Sequence, residues 1–298
     1  MQYQFSLVRL PDRAPIPVRA VALSCAWDEW GWSLSATLAG PEAVDELRPV
    51  VDQAIEVEMQ LDGYVWQFRL DRVAGSSSFG QTDGQTQGVG RAALLGPGAA
   101  LPANGYEDQA KTARQLAEQE LIGTTWQLDW PDTVPDWLVP ARRLIYSQKT
   151  PMEVIIALVE TAGGRVLADP VAAWLHVAPR YPLPAWEWGA AEPDILLPRD
   201  LMQTLSWTPR LGQPWDAVYL GDGATVLAMV KRAGLPGASL PDAPIIDPLL
   251  CDPGVCRTRR RGWILRWRCR CRHRTAPARC GPSANWRGSR RAEKPGPG

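Results

Sequence analysis

The sequence predicts a mainly β protein with an α+β section in the middle of the chain. Three observations support this fold class: β-type runs fill the first hundred residues, two helical segments follow, and β-type sequence then returns. A chain of 298 residues is long enough for more than one domain. We expect domains at 1–105, 106–198 and 199–250, followed by a separate tail at 251–298.

The clearest predicted element is a hairpin with Asp62-Gly63 at its turn, a dipeptide that suits two successive residues of positive φ. Counting outward from this turn places apolar residues opposite one another on one face and polar residues on the other. The apolar pairs are Leu61 with Tyr64, Met59 with Trp66, Val57 with Phe68, and Ile55 with Leu70; the polar pairs are Glu58 with Gln67 and Glu56 with Arg69. A slip of one residue would expose the whole apolar row, so the alternation fixes the register.

The rest of the first domain is predicted from alternation and from chain breakers. Strands are expected at Val18–Trp27 and Trp32–Leu38, and Cys25 in the first of them is expected to be a small core residue rather than a nucleophile. Residues 75–90 (GSSSFGQTDGQTQGVG) predict a flexible polar loop that leads into a short strand near Arg91–Leu95. The Gly- and Pro-rich residues 96–105 mark a domain boundary.

Two helices are predicted in the middle section. Ala110, Leu116 and Leu121 recur at helical spacing, with Gly123 just beyond. The second helix begins at Thr150-Pro151-Met152-Glu153, where Thr150 suits the N-cap, Pro151 the first turn and Glu153 the reciprocal capping partner.

Two further hairpins follow the second helix. The first is predicted from Val166–Ala168 and Trp174–Ala178 around Asp169-Pro170. The second is predicted from Ala217–Leu220 and Thr225–Arg232 around residues 221–223.

Charge and cysteine content separate the tail from the body. Residues 1–250 hold 18 Lys and Arg against 30 Asp and Glu, a net charge of −12, whereas residues 251–298 hold 14 against 2, a net charge of +12. Five of the six cysteines also lie after residue 250. The body is therefore not a disulfide scaffold, and the tail is a different kind of sequence.

Three interpretations of the tail stay open. Its arginines with Trp263, Trp267 and Trp286 suit a nucleic-acid-binding arm. A zinc site is a second interpretation, although the spacings match no common structural pattern; its ligands would be Cys251, Cys256, Cys269, Cys271 and His273. The third is an out-of-frame translation, because a GC-rich gene read in a shifted frame yields unpatterned Arg, Ala, Gly, Pro, Cys and Trp. The composition favours the third, and we expect a segment without defined structure.

No convincing catalytic set, cofactor motif or metal site is found in the body, so we do not expect an enzyme. His176 lies on a predicted strand and is expected to be structural. Glu187 with Glu192, or Asp129 with Asp132, would be the only glycosidase-like pairs, and solvated surface carboxylates explain them better. No phosphate-binding loop, nucleophile elbow or zinc-protease motif occurs. The sequence also shows no signal peptide and no membrane-spanning apolar run.

Six stretches within residues 1–250 carry a resemblance to a known family. They are VRAVALSCAWDE at 18–29, DWLVPA at 136–141, TPMEVIIALVETAGG at 150–164, APRYPLPAWEW at 178–188, DAVYLGDG at 216–223 and VKRAG at 230–234. Together they resemble phage tail proteins of the baseplate-hub group, related to the late control protein of contractile phages. The similarity lies in the order of the segments and in their local sequence rather than in a catalytic signature.

The resemblance implies an architecture and a role. Hub proteins have two tube-type β-barrel domains flanking a mixed α/β domain, and three copies form a ring that adapts the hexameric tail tube to a trimeric spike or fibre. It implies a homotrimer in the virion tail, made in the cytoplasm of the host bacterium, with tail-tube and spike or fibre proteins as partners. DNA would pass through the lumen without specific binding.

The chain departs from this pattern after residue 250. Leu201–Leu250 supply too few strands for a whole barrel, so the second barrel is expected to be incomplete. Two rival classes remain. The 15 tryptophans suit a cell-envelope carbohydrate-binding or carbohydrate-degrading module, which requires exposed Trp rings beside paired carboxylates. A nucleic-acid binder requires a genuine basic arm, and the acidic body argues against it.

Overall fold

The computed structural model is mainly β, as predicted; its described residues include three α-helices between residues 41 and 161 and further helical residues at 253–256 and 258–259. The described residues are 4–27, 29–47, 54–78, 81–183, 187, 191–192, 215–231, 241–256 and 258–259. They form one large sheet at the start of the chain, several small sheets and two helices in the middle, and a further small sheet near residue 220.

The first ninety residues contain a seven-stranded antiparallel sheet in the order β2-β1-β5-β6-β7-β4-β3. A short helix, α1 (Pro41–Glu46), packs against this sheet. The strands are β1 (Phe5–Leu10), β2 (Pro15–Ile16), β3 (Val18–Ser24), β4 (Ser33–Ala39), β5 (Glu56–Leu61), β6 (Tyr64–Ser78) and β7 (Gln81–Gly90).

The predicted register of the β5–β6 hairpin is confirmed pair by pair, from Leu61 opposite Tyr64 to Glu56 opposite Arg69. Asp62 and Gly63 both have positive φ, at 47° and 85°, as the two-residue turn requires. The apolar face supplies Val57, Met59 and Phe68 to the core, each no more than 1% exposed. Local turn chemistry and side-chain alternation therefore determine this element together.

The prediction of a loop at residues 75–90 is wrong, because this stretch forms the outer halves of β6 and β7. Its Ser, Gly, Gln and Thr residues pair along the ribbon from Gly75 opposite Gly84 to Ser78 opposite Gln81. β4 continues the sheet on the far side of β7. Glycine is needed here for packing, because a Cβ on Gly84 would lie 2.3 Å from Cγ2 of Val44 in α1. Arg91–Leu95, predicted as a strand, is a 3-10 helix.

The sheet is curled, because the strands at its two ends are neighbours in the sequence. β2 and β3 lie at opposite ends of the strand order, yet only Pro17 separates them in sequence. The Ala39 N–H at the end of β4 donates to the Pro17 carbonyl at 2.8 Å, which holds this corner. No pairing joins β2 to β3 among the strands of the described chain, so the hydrogen-bond ladder does not close.

The middle section contains both predicted helices, which contact each other. Thr112 caps α2 through a reciprocal bond with Gln115, and Glu153 accepts from the Thr150 N–H at 2.9 Å at the start of α3. Gly123 and Gly163, which follow the two helices, both have positive φ. The elements are β8 (Ala103–Tyr106), β9 (Lys111–Thr112), α2 (Ala113–Gln119), β10 (Gln127–Asp129), β11 (Leu138–Val139), β12 (Ile145–Lys149), α3 (Pro151–Thr161), β13 (Gly164–Ala168) and β14 (Trp174–Pro179).

The predicted hairpin around residues 221–223 is confirmed as β15 (Ala217–Gly221) and β16 (Val226–Lys231). A short strand, β17 (Ile245–Ile246), pairs parallel to β15, so this sheet has three described strands in the order β16-β15-β17. These strands fall within residues 199–250, where the resemblance implies part of a second barrel; residues 193–214 and 232–240 lie outside the described residues.

Candidate functional site

The loop between β3 and β4 connects the large sheet to the middle section. The Trp27 ring stacks on the guanidinium of Arg165 in β13, with Cζ 3.8 Å from the ring centroid. The Trp30 carbonyl accepts a hydrogen bond from the Ala168 N–H at 2.8 Å. This tryptophan-rich loop is therefore a packing element between two parts of the chain.

The turn between β13 and β14 makes a second contact, on the exposed end of β6. The Gln67 N–H donates to the Pro170 carbonyl at 2.8 Å, at a point that β7 does not reach. Arg91 bridges the same junction, donating to Gln67 Oε1 at 3.1 Å and to the Val171 carbonyl at 3.4 Å. The turn thus satisfies a strand edge that would otherwise remain open.

The polar face of the β5–β6 hairpin is organised around Glu58, which is only 6% exposed. Its carboxylate accepts from Gln60 at 2.9 Å, from Arg13 at 2.7 Å and from Gln67 at 3.4 Å. Desolvation raises the pKa of Glu58, but these three donors outweigh it and the pKa lies below its ordinary value. A buried charge is thereby satisfied on the outer face of the sheet.

The three-stranded sheet in the order β10-β14-β13 presents an open face with aromatic and acidic groups. Gln127 lies opposite Trp174 in the parallel β10–β14 pair, and Asp129 lies opposite His176. His176 Nδ1 is 3.0 Å from Asp129 Oδ2, and the His176 and Trp174 rings are 6.4 Å apart and within 15° of parallel. Strand pairing therefore fixes both rings and the carboxylate on one face.

A shallow cleft of about 420 Å³ adjoins this face. Leu121, Trp126 and Leu128 on its lining are buried, whereas Ile122 is 79% exposed and Trp174 is 38% exposed. Gln127 and Glu118 supply its polar groups. We call this feature the Trp174 cleft.

The segment that follows β17 packs against the middle section. The Trp137 indole N–H donates to the Leu249 carbonyl at 3.1 Å, and the Thr161 hydroxyl donates to Asp247 at 2.7 Å. Leu250, Val255 and Cys256 are at most 1% exposed.

The basic tail predicted at 251–298 therefore begins within a packed stretch. Arg259 donates to the Glu160 carbonyl near the end of α3, and Thr258 lies against Gly163. Residues 260–298, with Trp263, Trp267, Trp286, Cys269, Cys271 and His273, lie outside the described residues.

The candidate catalytic residues do not assemble into a catalytic set in the described part of the chain. His176 is on a strand, as expected, and its ring nitrogens lie 3.0 Å from Asp129 and 3.9 Å from Asp169, whereas Asp132 is a separate exposed residue. Glu187 and Glu192 belong to a different compact unit of the chain. The prediction that Cys25 is a core residue is wrong. Cys25 lies just beyond β3 and is exposed, because the strand ends at Ser24.

In the described ranges, no group of three or more His, Cys, Asp or Glu side chains could hold a metal ion. Cys251 and Cys256 are free thiols, and burial raises the pKa of both. No helix within the described part of the chain has the length and apolar character needed to cross a membrane.

Tryptophan burial argues against an extended carbohydrate platform. Trp126, Trp130 and Trp137 are 8%, 6% and 4% exposed, and the last two donate their indole N–H groups to backbone carbonyls. Trp32 and Trp66 pack edge to face at 5.7 Å. Trp174 is the most exposed of the described tryptophans, and it lines the cleft together with the buried Trp126.

Comparison with solved structures identifies two tail proteins of the same fold, although no family model and no curated protein matches the sequence. The tail protein from Neisseria meningitidis MC58 matches with a TM-score of 0.58 at 12% identity, covering 90% of this chain and 78% of that chain. The prophage MuSo2 tail protein from Shewanella oneidensis matches with a TM-score of 0.50 at 12% identity, covering 88% and 76%. The resemblance to tail proteins is thereby confirmed for the fold.

Proposed function

We propose that this chain is a structural component of a phage tail tip, a hub ring that adapts the tail tube to a spike or fibre, and not an enzyme. The observation that carries the proposal is the fold likeness to a tail protein over 90% of the chain. In this proposal, residues 1–105 form the first tube-type domain, 106–198 the mixed domain and 199–250 part of the second. The protein belongs to the virion tail and is made in the cytoplasm of the host bacterium.

The curled sheet and the small sheet at β15–β17 support a ring assembled from copies of the chain. Among the described strands, β3 lies at one end of the first sheet and β16 at one end of the second, and exposed end strands invite pairing with another chain. A closed ring would cover such edges in every copy. Apolar side chains exposed on the second sheet, Val226, Met229 and Ile246 at 64%, 45% and 62%, supply further surface to cover.

The first test is the mass of the protein in solution. We expect size-exclusion chromatography with light scattering to give about three times the 32.8 kDa of one chain. Negative-stain images should then show rings with a central channel. A monomer that persists at high concentration, with the circular-dichroism spectrum of a folded β protein, would contradict the homotrimer.

The lumen of such a ring is proposed to let DNA pass without specific binding. Residues 1–250 carry a net charge of −12, and like charge repels phosphate. We expect that any binding of a short duplex, measured by fluorescence anisotropy, falls steeply with salt and disappears when residues 261–298, which hold 11 of the 14 basic residues of the tail, are removed. Binding that survives this truncation would place DNA contacts in the acidic body and contradict the proposal.

A further inference from the structure

The Trp174 cleft is a feature that the proposed structural role does not use. Ile122 is 79% exposed and Trp174 is 38% exposed, and both line this shallow cleft of about 420 Å³, together with the buried Leu121, Trp126 and Leu128. This volume falls within the roughly 300–1,000 Å³ typical of small-molecule clefts. Apolar groups left in water beside a cavity indicate a surface that receives a ligand.

The aromatic wall of the cleft is held by regular structure. Trp174 is in β14, opposite Gln127 of β10, and its carbonyl accepts from the Asp169 N–H at 2.9 Å. The His176 ring lies nearly parallel to the Trp174 ring, and His176 is itself hydrogen-bonded to Asp129. A platform whose orientation is fixed before binding loses little conformational entropy when a ligand stacks on it.

The rim of the cleft carries hydrogen-bonding groups of several kinds. Gln127 is exposed and offers both an amide N–H and a carbonyl. Glu118 offers a carboxylate held by the Arg114 guanidinium at 2.8 Å. Beyond Trp174, the Asp129 carboxylate is 53% exposed and is held by His176 at 3.0 Å. This mixture of neutral and charged groups suits hydroxyl and amide groups, which both donate and accept.

We propose that the Trp174 cleft binds a glycan that contains an N-acetylated hexosamine. The apolar C–H face of the sugar ring stacks on Trp174, as an amphipathic aromatic platform allows. The acetamido methyl group packs against Ile122, the exposed apolar residue of the lining, and the ring hydroxyls bond to Gln127 and Glu118. The inference is a binding function that does not depend on the hub ring, and it includes no cleavage of the glycan.

The test uses the full-length protein with tri-N-acetylchitotriose as the probe and cellotriose as its analogue without acetamido groups. We expect saturable binding of the acetylated sugar in a fluorescence or NMR titration, at least about tenfold tighter than cellotriose, a ratio equivalent to about 1.4 kcal/mol. Trp174→Ala should weaken binding by about tenfold or more, and Gln127→Ala by about threefold, whereas Trp174→Phe should retain most of it.

The controls separate the cleft from the rest of the surface. Asp132→Asn, at an exposed acid outside the cleft, and Tyr106→Ala, at a 69% exposed aromatic residue of β8, should leave sugar affinity unchanged. Thermal unfolding verifies that each variant is folded. The proposal is overturned if the folded wild-type protein binds neither sugar, if it binds both equally, or if Trp174→Ala changes the oligomeric mass and not sugar binding. The last result would identify the cleft as a contact between protein chains.

Discussion

Glu153 lies in the first turn of α3. Its carboxylate accepts a hydrogen bond from the Thr150 N–H at 2.9 Å and forms an ion pair with the Lys149 ammonium group at 2.9 Å. The Thr150 backbone donor, together with Lys149, lowers the pKa of Glu153 from 4.5 to about 2. A carboxyl group whose pKa is lower in the folded state than in the unfolded state stabilises the fold at any pH above its unfolded-state pKa. That contribution is lost as the pH falls from 4.5 toward 2.

We therefore predict that Glu153→Gln lowers the Tm at pH 7 and that this loss shrinks as the pH falls from 4.5 to 2, where both proteins carry an uncharged side chain. The amide oxygen of Gln still accepts from the Thr150 N–H, so the substitution tests the charge rather than the cap. Thermal unfolding followed by circular dichroism at several pH values measures it. Glu42→Gln, at an exposed glutamate of α1, is the control. A Tm difference that stays constant down to pH 2 would contradict the prediction.

The ribbon of β6 and β7 is an element whose stability comes from its surroundings. Its outer half is polar and small, yet it pairs fully because β4 extends the sheet beside it and α1 packs on its glycines. Ser, Gly and Thr in a chain segment are typical of loops. Here the neighbouring strand and helix override that local preference.

The segment at 248–259 is a second such element, because it completes the packing of the middle section. Leu250 is fully buried and Trp137 donates to the Leu249 carbonyl. We predict that a chain ending at residue 260 keeps the Tm of the full chain, whereas a chain ending at Asp247 unfolds at markedly lower temperature.

A point variant gives the same test without a change in length. Leu250→Ala should cost about 2–5 kcal/mol, the range for large-to-small core substitutions. Leu101→Ala, at an 89% exposed position, should stay within about 0.5 kcal/mol of the wild type in urea unfolding. Equal effects of the two substitutions would show that the segment does not contribute to the core.

At the scale of the whole molecule, the large sheet contacts the middle section in two places: at the β3–β4 loop, where Trp27 stacks on Arg165 and Trp30 accepts from Ala168, and at the β13–β14 turn on β6. We predict that Trp27→Ala uncouples the two, so that a single unfolding transition separates into two and limited proteolysis cuts between them. Tyr64→Ala, at a 57% exposed aromatic position of β6, is the matched control and should leave the transition single. A single transition in Trp27→Ala would mean that the turn at Pro170 suffices for coupling.

The sequence by itself determined the elements whose signals are local. Asp62-Gly63 specifies a turn whose geometry sets the β5–β6 register, and Thr150 with Glu153 specifies the start of α3, because both depend on groups a few residues apart. The hairpins at Asp169-Pro170 and at residues 221–223 follow for the same reason. The mainly β class and the likeness to tail proteins were also predictable, since both rest on the order of such elements along the chain.

Only the tertiary structure decided the features that depend on residues far apart in the chain. The strand pairing of residues 75–90 needs β4 and α1, the exposure of Cys25 depends on where β3 ends, and the packing of 251–259 needs α3. The Trp174 cleft is lined by the end of α2 and by two strands that lie more than forty residues apart in the chain. No local sequence pattern predicts that these elements lie together. Long-range packing places these side chains, because burial depends on what the rest of the chain brings to each surface.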